Sequence, residues 1–343
     1  MPRIKSHEET LKLLKNSVRD FNEYREQTNY SPVDFKKINL RGLNLSGLTS
    51  NISLTEGSLL VNIIMILKNI GKKPLKGANL YKVNFSLADL SNSDLRWANL
   101  RGDSLFNTNL TGANLSEADL SGVNLSFSNV SNAELHKANL NGADLGEIIL
   151  KGSNLKETDL YKANLIMADL TNTNFVSAHL VWAKLSESDL TGSNLTNADL
   201  YKSNMMMAIF DKAILTNAIL RRAYAEEASF KYSDLRCARM EEIDLTKSNL
   251  SNAILTEADL RESIALEVNF TEANLKKTNF TNAILVGSRF KDADIDGAKF
   301  CGANLNDCDL KHVRNIDKAI FDDHVLWPDK TLLPENFSVP VNK

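Results

Sequence analysis

This chain of 343 residues is short of the groups from which catalytic and metal sites are built. It has three cysteines, Cys237, Cys301 and Cys308, too few to staple a chain of this length, which points to a reducing compartment. Of its five histidines, His136, His179 and His312 stand far apart, so no metal cluster is expected; His324 beside Asp322 and Asp323 is a purely local grouping. There is no CxxC pair, no glycine-rich phosphate loop, and no Ser/His/Asp or Cys/His constellation. No apolar run approaches the ~20 residues needed to cross a bilayer. The opening MPRIKSHEET also lacks the apolar stretch of a secretory leader. These absences predict a cytoplasmic, non-enzymatic protein with no metal and no cofactor.

What the chain has instead is a period. A large apolar residue, here termed the centre, stands at every fifth position from Leu80 to Leu310, 47 positions in all. Leu fills 33 of them, and only Ala225 and Ala265 fall outside Leu, Phe, Met, Val and Ile. Two residues before each centre stands a small side chain, with Asp103, Ile148 and Ile243 as exceptions; Cys308 fits this slot and needs no other explanation. The residue between is usually Asn or Asp, as in Ala78-Asn79-Leu80 and Ala118-Asp119-Leu120. Five matches neither a helix of 3.6 residues per turn nor a continuing strand. A short extended piece puts the centre and the small residue on one face, and the chain must then turn. Pairs such as Thr111-Gly112 and Asn141-Gly142 supply turn chemistry. Phe210, Phe230, Phe270 and Phe290 recur at multiples of 20, as do Tyr81-Lys82, Tyr161-Lys162 and Tyr201-Lys202. Four steps per coil turns both series into stacked columns. Ala225 and Ala265 are expected to leave thin core spots, filled by Tyr224 or Ile264 turned inward.

The pattern A-[DN]-L-x-x across residues 78–310, with further matches at Val33-Asp34-Phe35, Ile38-Asn39-Leu40 and Leu43-Asn44-Leu45, resembles the pentapeptide-repeat family. The resemblance implies an all-β solenoid: a right-handed quadrilateral β-helix of about twelve coils, a rod of ~55 Å at ~4.8 Å per coil. Around it the sequence divides into an N-terminal helix or cap (1–32), first repeats (33–45), a helical insertion (46–76), the β-helix (77–310), and a C-terminal cap and tail (311–343). Ser6-His7-Glu8-Glu9 forms a capping box before Leu11, Leu14, Val18 and Phe21 at helical spacing. The segment Leu11–Phe35 resembles the helical lead-in of cyanobacterial-type members. Leu60, Ile63, Ile64 and Leu67 outline a second helix over 58–70, either a brace or a docking element. In the tail, Ala319-Ile320-Phe321 is a repeat slipped by one residue, and Val325, Leu326 and Trp327 are expected to seal the end.

Function in such a rod must lie on outward positions. One column carries Phe106, Phe127, Ile166, Met167, Met206 and Met207, flanked by Tyr224, Ile264 and Ile284, and is a candidate interface with a protein partner or a second copy. Another reads Tyr161, Lys162, Trp182, Tyr201, Lys202, Arg221 and Arg222, where aromatics interleaved with cations suit an anionic ligand or single-stranded nucleic acid. Glu241 and Glu242 follow on the same column, which weighs against a nucleic acid. The leading expectation is a protein-interaction scaffold. An alternative implied by the resemblance is a DNA mimic that protects a type II topoisomerase, DNA gyrase, from inhibitors. Against it, residues 78–310 hold 22 basic residues among 31 acidic ones.

Overall fold

The computed structural model describes residue 86, residues 90–335 and residues 337–339. The expected helices over 6–31 and 58–70, the first repeats at 33–45 and most of the first coil of the twelve lie outside the described residues.

From Leu90 to Leu310 one local unit repeats. Every centre is buried, and so, from Leu95 onward, is every residue two before it. After each centre the chain turns through two residues, usually closed by a bond from the next inward N–H to the centre's carbonyl, as from Ala113 to Leu110 at 2.9 Å; Ala133 and Val268 donate instead to Ser153 Oγ and Ser288 Oγ. The second turn residue has φ between 51° and 71° at every step from 92 to 307, the pattern of a type II turn. Only nine of these residues are glycine, and none of the others is Val, Ile or Thr. The first turn position, by contrast, accepts Ile166, Val176, Val181 and Val286. A branched Cβ clashes in left-handed backbone, so branched side chains are confined to the first of the two positions.

Parallel bridges join residues 20 apart without a break from Asp94 with Asn114 to Asp294 with Arg314. Four steps therefore close one coil, and steps of 20 from Leu90 to Leu310 span eleven coils. In most repeats four of the five N–H groups find carbonyls in the turn or in an adjacent coil. The fifth, on the first turn residue, has no such carbonyl. The Asn or Asp just before the centre accepts it instead: Thr111 N–H donates to Asn109 Oδ1 at 3.1 Å, and Thr196 N–H to Asn194 Oδ1 at 3.0 Å. This Asx turn is why Asn and Asp recur there. Ser and Thr also fill the inward small slot, and some of their hydroxyls reach the preceding coil's carbonyls; Ser153 donates to Val130 at 2.6 Å and Thr278 to Leu255 at 2.8 Å.

The predicted columns stack. Phe210 lies on Phe230 with ring centroids 4.9 Å apart, Phe270 on Phe290 at 5.1 Å, and Phe280 on Phe300 at 5.1 Å. The expectation for Ala225 and Ala265 needs correction. Tyr224 and Ile264 do not turn inward; they are 53% and 39% exposed. Their bridges to Asn204 and Asp244 hold them on the outer face. Ile243 sits fully inward on the coil between the two alanines, beside Leu245, so bulk withheld on two coils is restored on the intervening one.

At the C-terminal end the register slips by one residue (Lys299 with Ile320) and then by two (Asn304 with Leu326). Phe321 stacks on Phe300 at 5.5 Å, and Trp327 and Phe337 cover Phe321. Val325 is buried as expected, but Leu326 is 52% exposed and does not seal the end. It occupies the outward bridged position above Asn304, where side chains point to solvent. Short 3₁₀ turns, Ile316–Lys318 and Lys330–Leu332, complete the cap.

Candidate functional site

Because both turn residues point outward, each of the four corners of the rod carries two parallel side-chain columns, with neighbours one coil apart. The corner that follows centres 160, 180, 200 and 220 holds Tyr161, Lys162, Trp182, Tyr201, Lys202, Arg221 and Arg222, and the structure brings them together. Lys162 Nζ lies over the Tyr161 ring at 5.0 Å. Lys202 Nζ lies over Trp182 at 4.7 Å and over Tyr201 at 5.4 Å. Tyr161 also stacks on His179, which bonds Asp159 at 2.9 Å. Cation–π contacts of this kind hold exposed side chains in place. The two arginines are engaged differently. Arg222 Nε donates to Glu242 at 2.8 Å, and Arg221 lies 3.6 Å from Glu241. Hydrogen bonding to Glu242 and then to Tyr201 raises the Arg222 pKa, and the Arg222 guanidinium lowers that of Glu242. Arg239 and Arg261 also approach Glu241, each at 3.7 Å. The upper half of this corner is thus internally neutralised, while Lys162 and Lys202 have no ion pair among the described residues.

The next corner follows centres 105 to 205 and carries the apolar set. Phe106 and Phe127 meet edge to face at 5.6 Å. Phe106, Phe127, Met167, Met206 and Met207 are 38–51% exposed, and Ile166 is half-buried. Beside Met206 and Met207 on the flanking faces lie Ile209 and Tyr224, 40% and 53% exposed. The coils between present Gly146-Glu147 and Ser186-Glu187, so the apolar column is interrupted rather than continuous. Ile149, Ile209, Ile214 and Ile254 are also exposed, at positions where Asn or Asp is usual, and were missed from the sequence. Their signal was the loss of the Asx residue.

No other arrangement among the described residues gathers chemistry. Asp322, Asp323 and His324 place three possible ligand atoms within 4.8 Å, but on the exposed cap. Asp322 is already engaged by the N–H groups of Gly302 and His324, the former first among the causes that lower its pKa. Cys308 is buried, its thiol pushed up to about 12 by burial, and its Sγ lies 2.9 Å from Leu285 O. A thiol so protonated is inert. Asp103 is buried in an inward small-residue slot. No helix among the described residues is long and apolar enough to cross a membrane.

A four-sided solenoid with a 20-residue coil, a filled core and side-chain columns at its corners defines a repeat rod. The sequence pattern described as pentapeptide repeats matches residues 75–102, 104–176 and 178–322. The chain belongs to the pentapeptide repeat family, whose fold is the right-handed quadrilateral β-helix. It is similar to HetL, a pentapeptide repeat protein involved in heterocyst differentiation regulation from the cyanobacterium Nostoc sp. strain PCC 7120, with 30% identity over 66% of this chain and 86% of that one and a TM-score of 0.22. Rfr23, a pentapeptide repeat protein from the cyanobacterium Cyanothece 51142, is 23% identical over 31% of this chain and 65% of its own, with a TM-score of 0.21. QnrB1, a plasmid-mediated fluoroquinolone resistance protein, is 16% identical over 71% of this chain and 93% of its own, with a TM-score of 0.29. No curated protein matches the chain.

Proposed function

We propose that this chain is a non-enzymatic scaffold rod that contacts a protein partner through its methionine-bearing corner. The carrying observation is that Phe106, Phe127, Met167, Met206 and Met207 stand exposed at one corner over six coils. The fold does not require them there. The same turn positions are polar or glycine on the intervening coils, and the inward rows already bury a continuous core. Exposed methionines make adaptable contact surfaces.

Anionic-ligand binding is the second reading, favoured by Lys162 and Lys202 poised over aromatic rings. It loses Arg221 and Arg222 to Glu241 and Glu242. Mimicry of DNA toward DNA gyrase is weaker, because Glu157, Glu242 and Glu257 are tied to cations one coil away. Immobilised full-length chain, compared with a Met167→Asn/Met207→Asn variant, tests the leading reading. Asn is at home in the left-handed backbone of both positions. The variant should lose the bound protein without a fall in melting temperature. Retention that salt alone abolishes, and that a Lys162→Ala/Lys202→Ala variant removes, would favour the anionic reading instead.

A further inference from the structure

The second turn residues of the methionine corner alternate with a period of two coils. From residue 127 upward in steps of 20 they are Phe127, Glu147, Met167, Glu187, Met207 and Glu227. The apolar members and the three glutamates are all exposed. At equivalent positions elsewhere, Glu157 meets Lys137 at 3.5 Å, Glu242 meets Arg222 at 2.8 Å and Glu257 meets Lys277 at 3.0 Å, each one coil away; at no other corner does an acid alternate with large apolar residues over six coils. Glu147, Glu187 and Glu227 have no ion pair among the described residues; their neighbours one coil above or below are Phe127, Met167, Met207 and Lys247. The result is a row of uncompensated negative charges about 9.6 Å apart, with apolar side chains between them.

Resting on the reading of this corner as a protein contact, we infer that its occupant is a basic amphipathic helix of a partner protein, lying along the corner. Two coils rise about 9.6 Å, and seven helical residues rise about 10.5 Å. A tilt of roughly 25° brings one onto the other, close to the inclination at which packed helices commonly cross. An extended strand returns a side chain to the same face at about 6.8 or 13.5 Å and falls out of step. A helix with one apolar residue per heptad, flanked by Lys or Arg, sets apolar groups against Met167 and Met207 and cations against Glu147, Glu187 and Glu227. A second copy of this corner would oppose each glutamate to a glutamate in one register and to an apolar residue in the other, and would supply these glutamates with no cation from the same row.

The test uses the full chain and a labelled synthetic peptide of about three heptads, with Leu at one heptad position and Lys beside it. Two controls accompany it: the same composition with the leucines re-spaced so that no stripe forms, and the same stripe with Glu replacing Lys. Fluorescence anisotropy should show the striped basic peptide binding about tenfold more tightly than either control. Met167→Asn/Met207→Asn should weaken it about tenfold at every salt concentration, whereas Glu187→Gln/Glu227→Gln should weaken it at low salt and flatten the salt dependence. Both variants should keep the wild-type melting temperature. Equal binding of the re-spaced peptide, or indifference to both variants, overturns the inference. Wild-type self-association that the same variants abolish would assign the corner to a second copy and also overturn it. An endogenous partner held by the rod but insensitive to both variants overturns the corner assignment while leaving the scaffold reading standing; no partner on any face removes both.

Discussion

Gly142 and Gly152 share a backbone conformation, with φ of 64° and 69°, but not surroundings. A Cβ built at Gly142 meets nothing within 4 Å, whereas one at Gly152 falls 2.7 Å from Asn132 Oδ1 on the preceding coil. The same pairing recurs at Gly112 over Asn92, at 2.6 Å, and at Gly192 over Asn172, at 2.7 Å. Alanine at 142 should therefore cost only the left-handed backbone, about 1–2 kcal/mol. Alanine at 152 must also push the Asn132 side chain off its preferred rotamer, which adds about 0.5–1.5 kcal/mol. Gly152→Ala should thus be the worse substitution by about 1 kcal/mol. Placing it in an Asn132→Gly background should return its cost to that of Gly142→Ala. Urea unfolding of the four variants, followed by circular dichroism and fluorescence to verify a single transition, measures this cycle. Equal losses at the two glycines, or no relief from Asn132→Gly, would show that the asparagine does not occupy the space above it.

Three further outcomes follow from the same geometry. Ala225→Leu should destabilise by about 1–3 kcal/mol in thermal or urea melts, because Ile243 and Leu245 already fill the adjacent coil; a neutral or stabilising effect would reveal a void. With an aromatic disulfide reagent near neutral pH, exposed Cys237 should react first and half-buried Cys301 next, while Cys308 should react only after unfolding. For Glu242, the Arg222 hydrogen bond lowers the folded carboxyl below its ordinary 4.5. Its contribution is therefore complete above that value and fades as pH falls through the lowered one. The stability gap between wild type and Glu242→Gln should be constant above pH about 6 and narrow below pH 4.5; a gap that widens on acidification contradicts the pairing.

The core of this rod was legible because burial maps directly onto sequence position. Phe210, Phe230, Phe270 and Phe290 declare both the inward row and the coil length by spacing alone. The outer surface was less legible, since its chemistry depends on side chains 20 residues apart choosing one another. That Arg221 and Arg222 are consumed by Glu241 and Glu242 follows from rotamers that a period cannot specify. The recurrence of Asn or Asp before each centre was visible, but its cause, one amide per repeat without a coil partner, lies in backbone bonding between coils that a sequence does not display. Tyr224 and Ile264 were expected inward because alanine leaves space beside them, yet the bridge that fixes their outward direction outweighs that space, and Ile243 fills it from the next coil. The glutamates of the methionine corner were readable from the start as a 40-residue period; attention to single columns of apolar residues hid it.

The claim that the methionine corner is the working surface is tested most directly by site-specific photo-cross-linking. A p-benzoylphenylalanine is placed at position 167, or at position 177, a second turn residue of the diagonally opposite corner with the same left-handed backbone. The folds of the two variants should be indistinguishable, so any difference in adducts reports the surface itself. The account predicts one discrete heterologous adduct from position 167 and none from position 177; equal capture from both corners, or capture from 177 alone, would contradict it.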